Sequence, residues 1–297
     1  MNLAQVTTLN EEKARDYLES IRWPNGPVCP HCESQSVVKL QGKSTRPGVY
    51  KCKNKECRKQ FTVTVGTVFE RSHIPLRNWV IAFHMMASSK KGVSAHQIHR
   101  SVGCTYKSAW FMCHRIRHAM EQGPVDGPKL SGIVEVDETY VGGKPRGGAK
   151  GRVGRGTKKA PVVALVQRDG EVRTIAVNRV TASNLSKHVE KYVDPKSRLI
   201  TDEFRSYTKL GRRFEQHDVI KHKLGQYVQG DVYTNTVEGF FALIKRGVYG
   251  TFHHVSKKHL QRYLDEFAFR YNQRKTSDGT RRETALRAVE GKRLTYR

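Results

Sequence analysis

Four of the six cysteines in this 297-residue chain fix how its first sixty residues can fold. Cys29 and Cys32 lie in "CPHC" and Cys52 and Cys57 in "CKNKEC", a C-x2-C and a C-x4-C pair 19 residues apart. Two such pairs on turn-like knuckles, with chain enough between them for a β-hairpin, give Zn²⁺ four thiolates in a tetrahedron and leave no position open. The spacing therefore predicts a structural zinc. The β-prone pieces "SVVKL" and "QFTVTVGTVF" are too short to bury a core alone, so the module needs such a staple. His31, between two ligands, is expected at the surface, while Cys104 and Cys113 stand in helical segments and read as small core residues. Disulfides are not expected. The N-terminus has no basic region followed by an apolar stretch, and no run of about 18 apolar residues occurs, which predicts a cytoplasmic protein with no membrane span.

Charge decides the partner. Lys and Arg number 54 against 27 acids, a formal charge of +27, which suits a polyanion. Double-stranded DNA leads, although basic composition alone would also fit a ribosomal or membrane-surface protein. Residues 144–159, "KPRGGAKGRVGRGTKK", concentrate the charge in Lys144, Arg146, Lys150, Arg152, Arg155, Lys158 and Lys159, interleaved with Gly and without an acid. Such an arm can reach phosphates from many angles, with an affinity that falls steeply as salt rises, or it is a solvated loop. Upstream, three segments within 75–120 carry apolar residues at helical spacing. The last two, joined by "SVGCT", have the proportions of a helix-turn-helix, with Lys107 in "TYKSAW" opening the second helix. A plain three-helix core is the alternative.

Elsewhere the periodicity predicts a helix over 10–22 capped by Asn10, strands over 131–141, 161–168 and 171–180, a helix over 183–193, a strand over 198–202, and helices over 235–246 and 256–274. That order is α/β, one sheet with flanking helices. The expected divisions are 1–72 (first helix and zinc module), 73–122 (helix-turn-helix-like), 130–280 (α/β) and a tail, 281–297.

The acids are few and pointed. Asp137 lies near the end of its strand in "VEVDETYVGG", and Asp202 at the carboxyl end of "RLITD", the edge where open α/β sheets place ligands. Glu238 in "TNTVEGFFALIKRG" is helical, with Lys245 two turns along the same face. Acids from two strands and a helix could converge on hard divalent cations, and two ions about 3.5–4 Å apart suit phosphodiester displacement. Asn235 and Glu238 also fit a capping box. Strand alternation puts Glu135 on the face of Asp137 and Glu138 on the other, making Glu135 the better supporting group.

The stretches "IRWPNGPVCPHC", "VDETYVGGK", "LITDEF" and "TNTVEGFFALIKRGVYGTFHHVSKKHLQRYLDEFAFRYNQR" closely resemble bacterial insertion-sequence transposases of the DDE type, in the group with an N-terminal zinc ribbon. The resemblance spans roughly 10–290. It implies an RNase H-like mixed sheet flanked by helices, with Asp137 and Asp202 as the first two catalytic acids. The third is Glu238, or Asn235 as in some members. It also implies Mg²⁺ (or Mn²⁺) at the carboxylates, Lys245 near the scissile phosphate, and cleavage and joining of DNA strands by a homodimer or larger assembly, nucleoid-associated when bound. A related nuclease without strand joining and a non-catalytic DNA-binding regulator are the other readings.

Overall fold

A computed structural model of the chain describes residues 1–42, 44–121, 128–142 and 159–295. They form two compact units, one of Met1–Ser89, Val93–Met120 and Thr276–Arg297, the other of Lys90–Gly92 and Glu121–Lys275.

In the first unit, α1 (Leu3–Thr7) and α2 (Glu11–Arg22) precede a small antiparallel sheet, β1 (Val37–Lys39), β2 (Tyr50–Cys52) and β3 (Gln60–Phe61), in that order. Asn10 caps α2 by accepting the Lys13 N–H at 2.8 Å. The sheet's apolar content is mostly Trp23, Tyr50 and Phe61, whose rings meet at 5.4–5.9 Å. Helices α3 (Leu76–Ser88), α4 (Ala95–Val102) and α5 (Tyr106–Ala119) follow. The α4–α5 turn is legible residue by residue: α4 ends on Gly103 at φ +70°, which suits glycine, and Thr105 caps α5 by accepting the Ser108 N–H. Cys113 is buried and Cys104 partly so. Residues expected as a tail instead include a helix, Asp278–Arg287, packed on α2, α3 and α5. Its Arg282 is fully buried, donating to Tyr17 Oη and Met1 O, each at 3.0 Å. A helix that buries guanidinium groups shows no apolar period, which hid it.

The second unit runs β4 (Ile133–Val141), β5 (Ala160–Gln167), β6 (Val172–Ala176), α6 (Ala182–Tyr192), β7 (Arg198–Asp202), α7 (Arg205–Gly211), β8 (Gln216–Ile220), the short β9 (Val228–Gln229) and β10 (Val232–Tyr233), α8 (Asn235–Gly247) and α9 (Leu260–Asn272). The five-stranded sheet is ordered β6-β5-β4-β7-β8, antiparallel through β4, β5 and β6 and parallel through β4, β7 and β8. This is the expected RNase H-like mixed sheet. Alternation sorts its side chains: Val162, Ala164 and Val166 face Val237, Phe240 and Ile244 of α8 and Phe267 of α9. Val134, Val136, Val163 and Leu165 face Leu185 and Val189 of α6 and Leu210 of α7. Each large side chain so buried contributes about 1.5–3 kcal/mol. The outer edge of β6 is covered by α9, where Asn272 Oδ1 accepts the Val172 N–H and Gln261 Oε1 the Ala176 N–H, both at 2.8 Å. Side-chain amides thus take the groups a sixth strand would bond. Helix α9 starts at Leu260, not 256; α7 is only two turns long, and β8, QHDVI, is too polar to stand out as a strand. Among the described residues no helix is long and apolar enough to cross a membrane.

Candidate active site and metal centre

The sheet register brings the two aspartates together. Val136 pairs with Thr201 in the parallel β4–β7 ladder, so Asp137 and Asp202 are the next residues on adjacent strands, on the same face, with strands about 4.8 Å apart. Helix α8 covers that face, and Glu238 stands in its first turn. The electrostatics report the convergence. The Asp137 carboxyl, half-buried, is pushed up to about 8, first by burial, next by the negative charge of Glu138, and further by Asp202 and Glu238. The Glu138 N–H, donated to Asp137 Oδ1 at 2.7 Å, only partly offsets this. A carboxyl held so far above its usual range beside three other acids fits a hard divalent cation, whose charge would remove the repulsion.

The remaining partners are specific. Asp202 Oδ1 accepts the Phe204 N–H at 3.0 Å, holding the carboxylate at the strand's end. Glu138 points to the opposite face and accepts the Tyr207 hydroxyl at 2.9 Å. Glu238 is half exposed; its Oε1 accepts the Thr234 hydroxyl at 3.0 Å and lies 3.6 Å from His222 Nε2. Asn235 and Lys245 are exposed, at the start and near the end of α8.

The capping box that Asn235 and Glu238 also fitted does not form. The donors at the head of α8 are taken by Glu135, a hundred residues upstream and fully buried. Its Oε2 accepts the N–H groups of Thr236 (2.9 Å) and Val237 (3.0 Å), and its Oε1 the Thr236 hydroxyl (2.9 Å) and Arg168 Nε (2.8 Å). Arg168 in turn donates to the carbonyls of Asp231 (2.6 Å) and Tyr233 (2.9 Å) and lies 3.6 Å over the Tyr233 ring. One buried ion pair therefore ties β4, β5, β10 and α8 together. Arg168 and His222 carried no signal in the sequence. The signal for Glu135 was its position, an acid on the same strand face as Asp137 between two buried valines.

In the zinc module all four thiols lie within 4.8 Å of one another, and among the described residues no other set of three or more His, Cys, Asp or Glu is so close. Sγ–Sγ separations of 3.8 Å (Cys29–Cys57) and 3.6 Å (Cys32–Cys52) match the edge of a Zn–thiolate tetrahedron, about 3.8 Å for Zn–S of about 2.3 Å. Glu33 (φ 58°) and Arg58 (φ 51°), each just after the second cysteine of a pair, take the left-handed turn that folds each knuckle back; His31 is exposed. A Cys52→Ser variant should lose its zinc and unfold this module, since structural zinc supplies about 10–16 kcal/mol in small zinc-dependent folds. Metal analysis checks this, with about one zinc per chain in the parent and none in the variant, and trypsin should then cut within residues 29–61. A protected, zinc-free variant would contradict it.

Of the residues expected to meet DNA, Lys107 is exposed in the first turn of α5, beside an exposed Tyr106 that stacks on His96 at 4.2 Å. Lys159 is half-buried at the edge of β5. Lys144, Arg146, Lys150, Arg152, Arg155 and Lys158 lie outside the described residues.

Residues 129–272 match the family described as ISXO2-like transposase domain, and residues 9–60 the transposase zinc-ribbon domain. The chain is 32% identical to an uncharacterized protein in transposable element ISH50 of Halobacterium salinarum, over 89% of this chain and 92% of that one. It is 30% identical to an uncharacterized transposase-like protein of Haemophilus influenzae, over 34% of this chain and 81% of that one. A crystal structure of a pre-cleavage Mos1 transpososome is similar over 66% of this chain and 70% of that one, at 12% identity and a TM-score of 0.28, too remote to bear on the fold or function. With a relative matched along nearly its whole length and both modules recognised in order, the chain belongs to the insertion-sequence transposases of the ISXO2-like family, which carry an N-terminal zinc ribbon.

Proposed function

We propose that this transposase binds the terminal inverted repeats of an insertion sequence and catalyses Mg²⁺- or Mn²⁺-dependent DNA cleavage and strand transfer at Asp137, Asp202 and Glu238, working as a homodimer or larger assembly on double-stranded DNA. The observation that carries the reading is the parallel β4–β7 register, which sets Asp137 and Asp202 side by side on the face covered by the helix of Glu238. Divalent ions held there would activate the attacking oxygen and stabilise the leaving one. Asp137, in the middle of β4 rather than near its end as the sequence suggested, and Asp202, at the end of β7, are the fixed part, each with a backbone N–H on its carboxylate. Glu238 is the half-exposed third member, favoured over Asn235 because its charge is felt at Asp137. Lys245 would hold a phosphate near the cut. Residues 1–122, with Lys107 on the second helix of the helix-turn-helix, would recognise the ends. The arm from Lys144 to Lys159 would bind backbone, and 130–280 would carry the chemistry.

The test uses duplex DNA carrying the sequences that flank the gene, with Mg²⁺. The parent should nick the ends and then join them to a second duplex, while Asp202→Ala binds the same DNA and leaves it intact. Glu238→Gln should cut at background rate and Asn235→Ala at close to the parent rate; the reverse order would assign the third position to Asn235. Equal cutting by Asp202→Ala would end the reading, and nicks without joined product would reduce it to a nuclease.

A further inference from the structure

We propose that the exposed strip Lys221–Val228 is a binding surface for unpaired DNA, with Tyr227 as a stacking platform for a base and Lys221 and Lys223 as its phosphate contacts. It deepens the proposed function, since it rests on the acids beside it acting on a DNA strand.

Leu224, Tyr227 and Val228 are 70%, 64% and 55% exposed, more than any other large apolar side chain among the described residues. A cluster of that kind marks a contact surface. The flanking Lys221 and Lys223 are also exposed, and no acid falls within 221–229. Cations alternating with an outward aromatic ring are what a strand with accessible base faces needs.

The strip is built and placed. Glu203, the residue after Asp202, accepts the backbone N–H groups of His222, at 2.8 Å, and Lys223. The turn closes on itself, with the Leu224 and Gly225 N–H groups donated to the Lys221 and His222 carbonyls, each at 3.0 Å, and Gly225 at φ +71°. His222 Nε2 lies 3.3 Å from Thr234 Oγ1 and 3.6 Å from Glu238 Oε1, and its ring is 5.6 Å from that of Tyr227. Tyr227 is thus one side chain removed from the proposed site. On the far side, β10 is held by Arg168. Charge argues against a second copy of the chain as occupant, because Lys221 and Lys223 would then meet a surface of a protein with formal charge +27. An intact duplex keeps its base faces stacked on each other, so an unpaired strand at the cut is the occupant that uses Tyr227.

The experiment takes the full zinc-loaded chain without Mg²⁺ and compares a blunt duplex with the same duplex bearing a single-stranded oligo(dT) tail that contains 5-iododeoxyuridine. The tail should raise affinity and, on near-ultraviolet irradiation, cross-link to the peptide that contains Tyr227. Tyr227→Ala should lose about 5- to 150-fold in affinity for the tailed duplex, the worth of one stacked base, with blunt-duplex binding unchanged; Tyr227→Phe and Tyr227→Trp should keep the parent's affinity. Equal tailed-duplex affinity for Tyr227→Ala and the parent would overturn the proposal. So would cross-links confined to other peptides, or a Tyr227→Ala effect limited to self-association of the free protein. Binding is read here without metal or cleavage. A failed platform and a failed catalytic site are therefore told apart.

Discussion

Glu135→Ala should lower the unfolding free energy of the catalytic unit by about 3–5 kcal/mol, the cost of removing one partner from a buried ion pair. The loss has two parts. Arg168, only 13% exposed in its side chain, would keep its charge with no carboxylate to meet it. The first turn of α8 would lose the acceptor for the Thr236 and Val237 N–H groups, and those donors sit where the helix dipole is most positive. Glu135→Gln should fall between, because an amide oxygen can accept one of the bonds but carries no charge. Arg168→Lys should also be damaging, since an ammonium cannot reproduce a fork that reaches Glu135, Asp231 and Tyr233 together. Urea titration followed by hydrogen exchange reads both parts, with amide protection lost first at 231–238. A Glu135→Ala variant within about 1 kcal/mol of the parent would mean that water or another group takes over the cap.

How much of this could be read in advance follows from the range over which each interaction acts. The cysteine knuckles, the Asn10 cap and the Gly103 turn are set by residues within a few positions of one another, so the sequence stated them and the structure carries them. The four strands β4 to β7 and the α8 and α9 helices were legible because their apolar residues either recur with the element's period or, in β5, run unbroken. The position of Asp137 relative to Asp202 needed only a parallel pairing of two recognisable strands. The cap of α8 was not legible because the local pattern, Asn235 and Glu238, offers a capping box as an alternative, whereas the actual acceptor, Glu135, arrives from another strand with Arg168 already attached. Helix 278–287 was missed for a related reason: its buried face is Arg281 and Arg282 as well as Ala285 and Leu286. His222 and Tyr227 lie in a stretch with no period at all, and their closeness to Glu238 exists only in the fold.

Asp137→Asn should abolish cleavage yet stabilise the zinc-loaded protein when no other divalent cation is present. The ordinary carboxyl value is 3.8 and the folded one about 8, so between those limits the native state holds a proton that the unfolded chain releases. By linkage, the stability that this group contributes is fully present below about pH 4 and is lost as pH rises through about 8. The amide cannot ionise. The variant should therefore have the flatter stability profile and, above pH 8, melt at least about 2 °C higher than the parent, small because Asp137 is only half-buried and water screens part of the repulsion. Adding Mg²⁺ should reverse the order, since ligand that binds only the native state raises the parent's melting temperature while the variant lacks one of its anchoring oxygens. Calorimetry in buffers of different ionisation enthalpy should show the parent releasing close to one proton per chain on Mg²⁺ binding at pH 7 and almost none above pH 9. This follows from a carboxyl that must ionise before it can serve as a ligand. At limiting Mg²⁺, cleavage by the parent should rise with pH and level off near 8. Proton release that does not change between pH 7 and 9, or a variant that melts below the parent in metal-free alkaline buffer, would show that Asp137 is not the strained acid at the centre of this site.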